Sequence, residues 1–394
     1  MDVVFISNYI NHHQLPLAKA FNSLPGVDYT FVATTPFDQS RAQMGYKDEN
    51  TLHDFVLKAY EGERQEKAAC ALAKEADIVL IGSAPDYYMA ERLRLGKATF
   101  HVSERYFRKE LSIKTFPRYF ASAMKHIRPF QGLPLYYLCS SAYTAKDVNT
   151  FTSFKSRCFK WAYFTEVREF RECDLVRKRE ENEKPVILWV GRFLSWKHPD
   201  AAIRAAGRLR AQGHDFRLDI IGGGSLELQL KMLVHELNLE DTVRFLGFLS
   251  PEAVRKHMER ADIFLFTSDF NEGWGAVLNE AMSSGCAAVA SHACGASPFL
   301  VRDGQNGYLY MSGEEEHLFE RTEQLLLDKS ERQRLGIEAY RDMHDMWSPQ
   351  VAAKRLINLN TAIVNGHDTK LYVDGPCSPA PIIRNEWYKD VKDT

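Results

Sequence analysis

Glu272 and Glu280 stand eight residues apart in NEGWGAVLNEAMSSG, directly after the apolar run IFLFTS. That order reads as strand, loop, helix, with Glu272 in the loop and Glu280 about 12 Å further along the helix axis. The backbone N–H groups of Gly273, Trp274, Gly275, Ala276 and Val277 open the helix between them. A helix N-terminus attracts phosphate through its unpaired donors and its dipole. A carboxylate on either side of a diphosphate could hold hydroxyls of a sugar and of a ribose. A solvated helix with two surface glutamates accounts for the spacing equally well. A second segment, WVGRFLSWKHPD, places Arg192 and Lys197 after a buried-looking strand and before a helix. In a parallel sheet that is the carboxyl edge, where ligands bind. Two cations there could neutralise a pyrophosphate leaving group, Arg by its planar fork and Lys as a point charge. A third, Gly222-Gly223-Gly224-Ser225, also follows a strand and opens a helix. It is no G-x-G-x-x-G fingerprint, so it speaks weakly for a nicotinamide cofactor and leaves Gly223 as a cleft candidate.

Two further segments carry chemistry in the first half. Asn11, His12 and His13 follow the first strand, where they could contact a phosphate or an acceptor, or cap the next helix. From Arg105 to Arg128, Arg105, Arg108, Lys109, Lys114, Arg118, Lys125 and Arg128 face a single acid, Glu110, with Tyr106, Phe107, Phe116, Tyr119 and Phe120 interleaved. That mixture suits an anionic membrane surface or a lipid-diphosphate acceptor; a solvated face over core aromatics is the competing reading.

These residues need a scaffold, and short β-branched runs alternating with helix-length segments supply one. Strands are predicted at residues 3–7, 29–33, 78–81, 99–102, 135–139 and 161–164, then at 186–190, 217–221, 243–246, 263–267 and 287–290. The fold class is α/β, with two parallel-sheet domains. The boundaries are 1–165, then 166–348 beginning with the charged linker Glu166–Lys184, then 349–394. Ser348, Pro349 and Gly366 delimit a helix Pro349–Val364, and an irregular tail follows, held through Trp387 and Tyr388. The chain has 394 residues, is 45% hydrophobic and carries a net charge of -2, which excludes a dedicated nucleic-acid binder. Its seven cysteines form no C-x-x-C pair, no apolar run is long enough to span a membrane, and Met1-Asp2-Val3-Val4 lacks the basic start of a signal peptide. The expectation is a cytoplasmic protein with reduced thiols.

The second half resembles a group 1 (family 4) glycosyltransferase of the GT-B fold. The matching pieces are VGRFLSWKHPD, the stretch from DIIGGGS to RADIFLFTS, NEGWGAVLNEAMSSGCAAVAS and LVRDGQNGYLY, across Val186–Tyr310. The resemblance implies two Rossmann-like domains facing across a cleft and a nucleoside-diphosphate-sugar donor held by the second. Arg192 and Lys197, with the amides of 273–277, would bind the diphosphate. Glu280 would hold the ribose and Glu272 the transferred sugar, and Phe245 and Leu246 would lie along the base. His101, in TFHVSE, fits the family's cleft histidine and would orient a donor hydroxyl. The resemblance further implies retention of configuration, no metal or other cofactor, and a C-terminal helix crossing back onto the first domain. The expected acceptor is a saccharide or lipid-linked molecule, in surface polysaccharide or glycolipid synthesis at the inner face of the membrane. The alternatives are a nucleotide-sugar epimerase or phosphorylase on the same fold, and a non-catalytic nucleotide-sugar-binding subunit.

Overall fold

A computed structural model describes residues 1–38, 47–108 and 112–392. The chain forms two compact units, Met1–Glu166 with Trp347–Ile383, and Val167–Met346 with the residues from Arg384 onward.

The first unit is built on β1 Asp2–Ser7, β2 Asp28–Ala33, β3 Val56–Lys58, β4 Ile78–Ile81, β5 Thr99–Ser103, β6 Leu135–Cys139 and β7 Cys158–Lys160. They lie in the order β3-β2-β1-β4-β5-β6-β7, all parallel. Central strands such as β1 and β4 are apolar on both faces because helices cover both, so they read as continuous runs rather than alternation. The helix Pro349–Val364 packs against Leu15–Asn22 in this unit. Its Ser348 Oγ accepts from the Val351 N–H at 3.4 Å.

The second unit is built on β8 Val186–Val190, β9 Arg217–Ile221, β10 Val243–Gly247, β11 Ile263–Phe266, β12 Ala287–Ser291 and β13 Tyr308–Tyr310. Their order is β10-β9-β8-β11-β12-β13, again all parallel. Ile187, Leu218, Ile220, Leu265 and Val289 form its core with the covering helices. In both sheets the order reverses beside the first strand, between β1 and β4 and between β8 and β11. Loops leaving the carboxyl ends at such a switch diverge and open a crevice.

Several expectations need correction. The segment 161–164 is not a strand. Its partner β6 ends at Cys139, whose carbonyl already takes the Trp161 N–H, and Trp161 and Phe164 turn into the core instead. The strand falls at Cys158–Lys160. The charged stretch 166–184 is no free linker. It contains a helix, Glu172–Glu180, docked on the second unit by Leu175, by Arg179 to the carbonyls of Ala261 and Ser284 (both 2.7 Å), and by Lys178 to Glu259 (2.7 Å). The tail is more ordered than expected. Cys377 and Ala380 donate to β7 carbonyls, and the Lys160 N–H donates to Ser378 O. Beyond Ile383 the chain joins the second unit, where Tyr388 is buried, its hydroxyl donating to Leu309 O at 2.8 Å. β3 and β13, three residues each, carry too short a pattern to stand out.

Candidate active site

In the second unit the loops after β8 and β11 leave adjacent strands at the switch point. They carry Arg192 and Lys197 on one side and Glu272 on the other. The two loops are laced together. Trp189 Nε1 donates to Thr267 Oγ1 (2.9 Å), which donates to Lys197 O (2.6 Å), and the Asp269 N–H donates to Trp196 O (2.9 Å). Lys197 Nζ forms an ion pair with Glu272 Oε2, which also accepts from Ser268 Oγ at 3.3 Å. The Arg192 side chain is exposed and has no ion-pair partner among the described residues.

His198 follows Lys197 in the left-handed region, φ 48°, directly before Pro199. A β-carbon residue is strained there. The residue is held by its ring, 3.3 Å from Asp269 Oδ2. This contact raises the His198 pKa, against its burial. Burial pushes Asp269 upward, but hydrogen bonds from His198 and from the Asn271 N–H and side chain outweigh it and hold the carboxyl low.

Gly275 begins the helix Ala276–Ser283 with φ 94° and no side-chain cap. A Cβ there would lie 2.3 Å from the Phe266 ring and 3.0 Å from Cys294 Sγ, so only glycine fits. Trp274 is wholly buried, its Nε1 donating to Asn279 Oδ1 at 2.8 Å, so its side chain is not offered to a ligand. No side chain caps the amides of this first turn. Glu280, one helical turn before the end of the same helix, is partly exposed, and no described residue hydrogen-bonds its carboxylate. Burial raises its pKa, opposed by the charges of Arg255 and Arg168. Arg255 grips the Glu280 carbonyl at 3.1 Å and Ser283 Oγ at 3.0 Å.

The glycine turn 222–224 has a structural task. A Cβ on Gly222 would fall 1.9 Å from Gly191 O and one on Gly224 2.7 Å from Phe193 O. The turn thus lets the loop carrying Arg192 press against it, with the Phe193 N–H bonded to Gly223 O at 2.9 Å. Gly223 is buried beneath the Phe248 ring. Phe245 and Leu246 are half-buried on the edge strand β10, Phe245 edge-on to Phe193 at 6.1 Å.

In the first unit, Asn11 caps the turn into Leu15–Asn22. Its Oδ1 accepts from the N–H groups of His13 (3.0 Å) and Gln14 (3.2 Å). His12 and His13 are in ring contact at 3.7 Å, and His13 stacks on Tyr163 at 5.9 Å. His101 lies in β5 with Tyr106 Oη 3.5 Å from its Nδ1. Burial pushes its pKa down to about 4 and that of Tyr106 up to about 12. The imidazole is therefore a neutral hydrogen-bonding group near neutral pH.

The basic segment 105–128 needs revision. Arg105 is buried against Asp147, 3.6 Å away, and over the Tyr143 ring at 4.9 Å; Arg108 pairs with Glu104 at 3.3 Å. Arg105 is therefore not offered to a membrane, whereas Arg108 is exposed. Lys109 and Glu110 lie outside the described residues.

Sequence reasoning missed His198, Asp269, Arg255 and the exposed Phe248. An unusual His-Pro at a helix start was the one visible signal. The ion pairs join positions some seventy residues apart in sequence and exist only once the sheet has formed.

Two parallel Rossmann-like sheets with this strand order define the GT-B fold. Residues 171–342 match the family described as glycosyl transferases group 1, and this part of the chain is a group 1 glycosyltransferase domain. The chain is 35% identical over 180 residues to the D-inositol 3-phosphate glycosyltransferase of Corynebacterium aurimucosum, covering 44% of this chain and 42% of that protein. It is 37% identical over 143 residues to a Campylobacter jejuni N-acetylgalactosamine-N,N'-diacetylbacillosaminyl-diphospho-undecaprenol 4-alpha-N-acetylgalactosaminyltransferase, covering 36% and 37%. The matched stretches thus span about two fifths of these curated relatives. Along nearly its whole length the fold is similar to that of Anabaena HepE, solved with UDP and glucose. The TM-score is 0.62 at 17% identity, over 93% of this chain and 99% of that one.

Proposed function

We propose that the chain transfers a sugar from a nucleoside-diphosphate-sugar donor to a saccharide or lipid-linked acceptor, with retention of configuration and without a metal ion. The observation that carries the reading is the gathering of Lys197, Glu272, Arg192 and the uncapped helix start at one sheet switch point, with Glu280 on that same helix. The charge that grows during such a reaction is a departing diphosphate and an oxocarbenium-like sugar. Arg192, Lys197 and the amides of 275–277 oppose the first with groups already in place. Glu272 stands against the second, and Glu280 holds the ribose hydroxyls. Attack comes from the face the phosphate leaves, a phosphate oxygen taking the acceptor proton. His101, uncharged, orients a donor hydroxyl. The acceptor class draws on the curated relatives, one of whose names specifies a diphospho-undecaprenol acceptor.

The test is a transfer assay over a panel of nucleotide sugars, following nucleoside diphosphate release with and without acceptor extract. Acceptor-dependent release that persists in EDTA is expected. Conversion of the donor alone would favour an epimerase, and loss in EDTA restored by Mg²⁺ would overturn the metal-free mechanism.

A further inference from the structure

His198 occupies a backbone position that suits glycine. Its φ of 48° and ψ of 52° lie in the left-handed region, which a residue with a Cβ adopts only under strain. Pro199 follows, and a residue before proline is driven toward extended backbone. Glycine would meet this turn without the strain, so what the imidazole adds has to be sought in its contacts.

Three successive residues here are tied to the loop after β11. The Trp196 carbonyl accepts from the Asp269 N–H at 2.9 Å, the Lys197 carbonyl accepts from Thr267 Oγ1 at 2.6 Å, and the His198 ring meets Asp269 Oδ2 at 3.3 Å. Asp269 passes the connection on. Its Oδ1 accepts from the Asn271 N–H at 2.8 Å and from Asn271 Nδ2 at 3.0 Å, and its carbonyl accepts from the Glu272 N–H at 3.0 Å. Lys197 and Glu272 thus project from two segments that Asp269 joins, and their side chains, 14% and 17% exposed, form an ion pair. The first two ties use backbone carbonyls and survive substitution at 198. The third is made by a side chain and fixes the turn directly after Lys197, where the chain enters the helix Pro199–Ala211. The carboxylates that act on the ring are Asp269 and, from the first turn of that helix, Asp200. Hydrogen bonding to Asp269 outweighs partial burial in raising the His198 pKa, and the charges of Asp269 and Asp200 add to it.

We propose that His198 is a positioning residue of the donor site: through Asp269 it holds Lys197 and Glu272 in the arrangement that receives a nucleoside diphosphate. This rests on the reading above that Lys197 binds the diphosphate, and it adds a residue that acts without touching the ligand. An imidazolium–carboxylate contact is stronger than its neutral counterpart. The folded pKa lies above the ordinary 6.5, so the ionic part of the hold is complete below 6.5 and is lost as pH rises through the folded value.

The experiment is titration calorimetry of UDP and GDP into the full chain and its His198→Gly, His198→Gln and Lys197→Ala forms, from about pH 6 to about pH 9, beside thermal unfolding. His198→Gly removes the strain together with the tie. Its thermal midpoint should stay level or rise, while nucleotide affinity falls about fivefold to tenfold, part of what a charge-assisted bond from Lys197 contributes. His198→Gln keeps a neutral donor long enough to reach Asp269, so at about pH 9 it should match the parent. At about pH 6 the parent should bind about threefold more tightly than the Gln form. Taking the ratio of the two cancels the titration of the nucleotide's own phosphate. Undiminished affinity in His198→Gly, or a loss accompanied by a lowered midpoint, would overturn the proposal. So would a Gln form as weak as the Gly form at about pH 9, which would make the imidazole a direct ligand, and so would a parent-to-Gln ratio that does not change with pH. Lys197→Ala separates the two readings. If it weakens binding and His198→Gly does not, the positioning role fails alone. If Lys197→Ala binds as the parent does, or the parent binds neither nucleotide, the donor-site reading fails and the positioning role falls with it.

Discussion

Lys197 already has a carboxylate partner, Glu272, and an incoming diphosphate must share or displace it. This sharpens the roles of the two glutamates. Glu280→Gln should weaken both free nucleoside diphosphate and complete donor, because both carry the ribose. Glu272→Gln should leave diphosphate affinity equal or tighter, since it removes a competitor for Lys197, while turnover falls through kcat. Titration calorimetry beside steady-state kinetics separates these outcomes; equal loss of diphosphate affinity in both variants would point to a general structural role for the loop. His101 offers a pH test. Its folded pKa of about 4 lies below the ordinary 6.5, so between these values the unfolded chain binds a proton that the folded chain refuses. The group therefore withdraws stability as pH falls through that window and withdraws none above it. The His101 imidazole resonances should show no titration from neutral pH down to about 5. A midpoint at 6.5 or above would contradict the buried environment. Residue types and spacing made the glutamates and cations legible. The Lys197–Glu272 and His198–Asp269 pairs were not, because each joins two loops that meet only in the folded sheet.

At the scale of elements, the long apolar strands were legible because burial on both faces writes continuous Val/Ile/Leu runs, as in β4 and β8. What escaped was set by partners. β7 lies where β6 still offers hydrogen bonds, not where the apolar residues Trp161–Phe164 suggested. The helix Glu172–Glu180 hid behind its charges, since only Leu175 is buried. The helix Ala276–Ser283 depends on a single backbone position. Gly275→Ala combines a left-handed φ of 94° with a Cβ 2.3 Å from the Phe266 ring. A cost of about 1–3 kcal/mol is expected for the backbone conformation, with steric clash added to it. Urea unfolding should show the unfolding free energy lowered by at least that much, and diphosphate affinity should fall because the helix start shifts. A variant as stable as the parent would show that the loop adapts freely.

Across the whole molecule, the chain passes between its two units three times, at 166/167, 346/347 and 383/384. The first passage was legible as a change in composition, and the second from the capped start of Pro349–Val364. The third was not, because residues 367–383 show no helical or alternating apolar period and follow β7 through backbone hydrogen bonds that leave no side-chain pattern. Tyr388 then closes the path on the second unit, stacking on His292 at 5.4 Å. The account nevertheless turns on one surface of one unit, the carboxyl edge between β8 and β11. Titration calorimetry of UDP and GDP into the full chain, its Arg192→Ala form and its Lys197→Ala form tests it directly. The parent should bind at least one of the two nucleotides. Each variant should bind it on the order of tenfold to a hundredfold more weakly, the contribution of a charge-assisted hydrogen bond of roughly 1.5–3 kcal/mol. Nucleotide affinity unchanged in both variants would contradict the assignment of this edge as the donor site.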